Sequence, residues 1–215
     1  LIAGQTAPIV AVDTNIDAPE VLSFVGTGNE DAAAEGGKAA VEAAKAAGWD
    51  KVQAIAISGV QGDGTATARL TGYEKGVTEA GGEFLKDEIQ YADAVADKAA
   101  TSMEAIMQNH PDGVAIIVCN NDDMAIGALQ AIQAAGRTVN KEMYLVGFYA
   151  LDAALNEVVN GNLTGTVLND AQSQASQAVA SMEDLLGGKT FAEGEQSIYV
   201  DYVKVTPENA SEFIK

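Results

Sequence analysis

Short runs rich in Val and Ile alternate along this chain with longer Ala-rich amphipathic stretches, and this alternation restricts the fold more than any other feature. The runs fall at 9–12, 52–57, 114–119, 143–148 and 164–168. Each closes on small or polar residues, as parallel strands buried on both faces do. Helix-like segments occupy 30–47, 67–81, 93–109, 123–136, 151–160 and 171–187. Within 123–136, Met124, Ala128, Leu129, Ile132 and Ala135 recur at helical spacing. Gly48, Gly81, Gly136 and Gly161 follow such segments, where left-handed caps are wanted. The pattern predicts a doubly wound α/β architecture with parallel sheets. A late strand over Ser197–Val205, after a stretch with no helical pattern, predicts two interwoven lobes rather than two in series.

Composition narrows the function. The chain is 47% hydrophobic, enough to bury a core. No apolar run approaches the roughly 18–20 residues that span a bilayer, so membrane insertion of the mature chain is not expected. Twelve Lys and Arg face 31 Asp and Glu, a formal charge of −19 that repels phosphate backbones and anionic lipid. Nucleic acid is therefore not an expected partner, nor is an anionic substrate class unless a local basic site exists. Cys119 is the lone cysteine, so no intrachain disulfide forms, and its place at the end of an apolar run reads as a buried small side chain. His110, the lone histidine, sits in the turn Asn109-His110-Pro111-Asp112, with no nucleophile paired to it. No cluster has the spacing of a metal site. The expectation is a protein that is not an enzyme and uses no metal and no cofactor.

In open α/β sheets, ligands meet the carboxyl ends of the strands. Those ends carry Asp13 and Thr14, Ser58 to Thr67, Asn120 to Asp122, Tyr149, and Asn169 with Asp170. Carboxylates and amides accept hydroxyl protons, and amides donate back, which suits a polyol. Arg69 adds a planar donor fork. Each element has a second reading: Asp122 and the Asn169-Asp170 pair as helix N-caps, and Arg69 as a surface residue. The loop Gly59-Val60-Gln61-Gly62-Asp63-Gly64-Thr65 lacks the Gly-Lys-Ser/Thr ending of a phosphate loop and the spacing of a dinucleotide loop. It reads as a flexible loop over a ligand.

The segment Asn120-Asn121-Asp122-Asp123-Met124-Ala125-Ile126-Gly127-Ala128-Leu129 resembles the type I periplasmic sugar-binding proteins of ABC transporters, the ribose- and glucose/galactose-binding group. Pro8 to Asp13, Arg69-Leu70-Thr71-Gly72-Tyr73, Leu145 to Phe148 and Gly165 to Ala171 resemble further motifs of that group, in the same order. The resemblance implies two Rossmann-like lobes that close on a sugar by hinge motion. Residues 1–25 and 169–197 would belong to an N-terminal lobe that is incomplete, its first strands lying before Leu1, and residues 26–168 and 198–215 to the C-terminal lobe. It implies ligand contacts at Asp13, Arg69, Asn121 and Asn169, with Asp63 and Thr65 from the glycine loop. Tyr149 stands where the family usually has Asp, Thr14 where it has Arg or Lys, and Ala92 where an aromatic stacks on the sugar, a role Tyr91 can take. The implied partners are a monosaccharide, an ABC transporter permease and a chemoreceptor. The implied location is the periplasm or cell surface, with a lipid anchor as one form of attachment. The alternative is the effector-sensing core of a LacI-type repressor, which shares the fold; the acidity argues against it.

Overall fold

The structure, a computed structural model, describes residues 2–192 and 194–214. The chain forms two compact units, residues 1–28 with 169–202 and residues 29–168 with 203–215.

The smaller unit is built on a parallel sheet ordered β1-β2-β9: β1 (Ile9–Val12), β2 (Val21–Thr27) and β9 (Ser197–Val200). Helix α6 (Ala171–Leu186) packs on all three strands and starts at Asp170, whose carboxylate accepts the Ser173 N–H at 3.1 Å. Strand β2 is central here but is absent from the expected runs. Ser23 and Gly26 interrupt its apolar pattern, and its burial comes from neighbours on both sides, which local sequence does not report.

The larger unit is built on the parallel sheet β4-β3-β6-β7, from β3 (Gln53–Ser58), β4 (Glu83–Phe84), β6 (Ile116–Cys119) and β7 (Tyr144–Val146). A two-residue strand β5 (Gln90–Tyr91) pairs with the far end of β3. Parallel bridges Val146↔Gly165 and Tyr149↔Leu168 continue the sheet to β8 (Thr166–Asn169), which pairs with β10 (Tyr202–Val205). The late strand expected over 197–205 is thus two, parted at Asp201, each in a different sheet.

Alternation along these strands sets two faces. Ile55, Ile57, Ile117, Cys119 and Leu145 join the core formed with α3 (Ala96–Asn109), α4 (Asp122–Ala134) and α5 (Asp152–Val159). Val146 and Val167 lie against Gly36 of α1 (Asn29–Ala46), which packs along α2 (Gly64–Glu79). The α1–α2 approach is close because α2 presents glycines. A methyl at Gly72 would stand 2.0 Å from the Glu30 carbonyl oxygen, and one at Gly76 1.9 Å from that of Ala34. Gly127 of α4 gives α3 the same access, 2.1 Å from the Ala96 oxygen.

Candidate functional site

The polar ends of the strands are held separately in each unit. In the larger one, the first turn of α2 starts at Asp63, whose carboxylate accepts the Ala66 N–H at 2.8 Å. One turn further on, Arg69 is 3% exposed. Its Nε donates to Oδ1 of Asn29 at 2.8 Å, and its Nη1 donates to the carbonyl of Asn120 at 2.8 Å. The guanidinium carbon lies 4.0 Å from the ring centroid of Phe148 and 4.6 Å from that of Tyr149, within cation–π range. Nη2 is buried with no hydrogen-bond partner among the described residues, and no carboxylate there lies within ion-pair reach of this side chain.

Asn120, at the end of β6, ties this cluster together. Its Nδ2 donates to Ser58 Oγ at 3.1 Å and to the Ala66 carbonyl at 3.0 Å. Its Oδ1 is buried and has no partner among the described residues. Asn121 is the N-cap of α4, accepting the Met124 N–H at 2.8 Å, while its Nδ2 faces the Ala94 carbonyl at 3.5 Å. The helix cap read onto Asp122 therefore belongs to Asn121.

Asp122 is fully buried instead. Its two carboxylate oxygens accept the Thr166 hydroxyl at 2.7 Å and the Leu151 N–H at 2.8 Å, and its own N–H donates to the Phe148 carbonyl. Burial outweighs these hydrogen bonds and pushes its pKa up to about 7. Gly147 leaves room for it, since a methyl there would stand 2.1 Å from Asp122 Oδ1. The carboxylate pins the turn that follows β7, where Tyr149 has φ 117° and Ala150 φ 57°, conformations that L-residues rarely adopt. Burial also pushes up the Tyr73 hydroxyl and the Cys119 thiol, which keeps both neutral. Cys119 is buried, as its apolar setting implies.

In the smaller unit, Asp13 follows β1 at φ 63°, and its Oδ1 accepts from Nδ2 of Asn169 at 2.8 Å. Oδ1 of Asn169 accepts from Thr27 Oγ1 and from Gln174 Nε2. The Asn169 amide is thereby oriented, with one N–H of Nδ2 donating to the Asp13 carboxylate.

The structure thus gathers Arg69 with Tyr149, and Asp13 with Asn169. Asp63 and Asn121 have oxygens committed to helix caps, Thr65 lies half-buried in the first turn of α2, and Tyr91 is exposed on β5. Sequence reasoning did not single out Asn29, Phe148, Thr27 or Gln174. Phe148 ends an apolar run and reads as core, and Thr27 ends the strand that the run pattern omits. Among the described residues no group of three or more His, Cys, Asp or Glu side chains is placed to hold a metal ion, and no helix is long and apolar enough to cross a membrane.

Residues 2–190 match the family model described as the periplasmic binding protein domain. The chain belongs to that family. Among relatives of this periplasmic binding protein domain, the D-galactose/methyl-galactoside binding periplasmic protein MglB of Haemophilus influenzae is 30% identical over 77% of this chain and 51% of its own length. The ribose import binding protein RbsB of Escherichia coli is 29% identical over 85% of this chain and 58% of its own. The chain thus spans about half the length of the curated relatives it matches. Solved structures agree on the fold. An ABC transporter periplasmic solute binding protein from Actinobacillus succinogenes, with bound D-allose, superposes with a TM-score of 0.83 at 22% identity, covering 96% of this chain and 70% of that one. A solute binding protein from Bacillus halodurans, with bound myo-inositol, gives 0.79 at 25% identity over 96% and 68%.

Proposed function

We propose that this protein captures a monosaccharide outside the cytoplasm and delivers it to the permease of an ABC importer, without covalent chemistry. The observation that carries this reading is Arg69: a buried guanidinium, braced on three sides, with one NH2 group left unpaired among the described residues at the carboxyl ends of the strands. A braced donor with a free hydrogen-bonding edge suits a ligand rich in oxygen. The Asp13–Asn169 pair supplies acceptors and donors of the same kind. The relatives named above bind galactosides or ribose, which supports a sugar. Asn121, Tyr149 and Tyr91 complete the proposed contacts, with Asp63 and Thr65 from the glycine loop. Hinge closure, which the family resemblance implies, would couple capture to docking on the permease, and a chemoreceptor is a second proposed docking partner. Periplasm or cell surface is the proposed location, with lipid anchoring as one form.

Isothermal titration against pentoses, hexoses and polyols tests the reading. Saturable heat with a monosaccharide, lost in Arg69→Ala, is expected. Absence of binding by every monosaccharide overturns the function, and unchanged affinity in Arg69→Ala removes that residue from the site.

A further inference from the structure

A guanidinium carries a permanent charge, and that of Arg69 is 97% removed from water with no carboxylate partner among the described residues. A buried charge is costly unless it is paired. Two neutral acceptors and two aromatic rings offset part of that cost, and Nη2 remains unmatched. Asp122, the buried carboxyl of the neighbouring helix start, is committed to Leu151 and Thr166 and supplies no ion pair. Oδ1 of Asn120 is a second unmatched buried atom, an acceptor on the residue whose carbonyl already holds Arg69. Its orientation is fixed because Nδ2 faces the Ala66 carbonyl. The Phe148 ring is fully buried whereas Tyr149 is half-buried, so the less enclosed side of the guanidinium is that of Tyr149.

We infer that the ligand is a sugar acid, whose carboxylate pairs with Nη2 of Arg69 and whose neighbouring hydroxyl donates to Oδ1 of Asn120. The inference rests on the sugar-binding reading above and adds the charge of the ligand. A carboxylate neutralises the buried cation, and a charge-assisted hydrogen bond is roughly twice as strong as the neutral one a hydroxyl offers. The chain's −19 charge opposes an approaching anion at long range. Salt screens that field over about 8 Å at physiological ionic strength, whereas the contact with Arg69 is formed out of water.

Titration calorimetry at pH 7 compares matched pairs: D-galactose with D-galacturonate, D-glucose with D-glucuronate, and D-ribose with D-ribonate. The acid of the preferred pair is expected to bind at least about tenfold more tightly than its neutral partner. Arg69→Gln is expected to remove that preference, and Arg69→Lys to keep part of it, with thermal unfolding confirming that both variants fold. Asn120→Asp, which sets a carboxylate beside the ligand's own, is expected to weaken the acid more than the neutral sugar. A neutral sugar binding as tightly as its acid overturns the inference and leaves the sugar-binding function standing. A preference that survives Arg69→Gln overturns the pairing with Arg69. No binding by any member of the three pairs overturns this inference, and the sugar-binding function falls with it only if every other monosaccharide also fails to bind.

Discussion

Replacing Gly76 by alanine tests the packing that positions Arg69, because α2 carries both residues. The new methyl would meet the Ala34 carbonyl oxygen of α1 at 1.9 Å. A carbon–oxygen contact needs roughly 3.3 Å, so the helices must part by more than about 1 Å. A gap of 0.5–1 Å already forfeits about a quarter to a half of the dispersion well between facing atoms. The atoms affected line a fully buried seam that includes Ala33, Ala40, Val41, Tyr73 and Val77. Overpacking of this kind costs about 1–3 kcal/mol, and backbone contact places it at the upper end or beyond. Against this, alanine gains about 1 kcal/mol of helix propensity over glycine. The net expectation is a loss of about 2 kcal/mol and a fall in Tm of about 4–8 °C, read by thermal and urea unfolding followed by circular dichroism. Gly64→Ala is the control: it lies in the same helix with open space around the new methyl, and it should be neutral or slightly stabilising. A Gly76→Ala protein as stable as the Gly64→Ala protein would show that the two helices do not approach this closely, and the reasoning would fail.

Three further outcomes are expected. Asp122 has a folded-state pKa of about 7, raised above its ordinary value near 3.8, so the native state binds more protons than the unfolded one between those limits. Stability from this group is full below about pH 4, falls as pH rises toward 7, and is level above. Asp122→Asn removes that slope, and parallel curves for both proteins in urea unfolding at pH 5 and 8 would refute the assignment. Gly147→Ala drives a methyl to 2.1 Å from Asp122 Oδ1. It should cost about 2 kcal/mol or more by urea unfolding, with Asp122→Ala relieving part of the cost; additive losses would count against that contact. Asn169→Leu leaves Thr27 and Gln174 without their shared acceptor and should cost about 2 kcal/mol, with a loss of sugar binding by calorimetry. Unchanged stability would show that the three side chains do not depend on one another.

The central strands of the larger unit, β3, β6 and β7, were legible because they are buried on both faces and therefore read as unbroken apolar runs. Ile116 to Cys119 needs no knowledge of its neighbours to be recognised as such a strand. Strand β2 was not legible, because its burial depends on β1 and β9, and β9 arrives some 170 residues later in the sequence. The position of Asp13 and Asn169 at strand ends, and of Arg69 in the helix after the glycine loop, follows from the alternation alone. Their partners do not: Asn29, Thr27 and Gln174 are ordinary polar residues until folding sets them against those side chains.

Residue spacing by itself thus determined the fold class and the polar composition of the strand ends, since periodicity and side-chain chemistry are local properties. Tertiary structure alone decided which of those polar atoms are already used. It gave Asn121 the helix cap, gave Asp122 a buried structural role, and left Nη2 of Arg69 and Oδ1 of Asn120 unmatched among the described residues. Whether a buried polar atom is satisfied depends on groups brought from distant parts of the chain, and no local pattern encodes that balance.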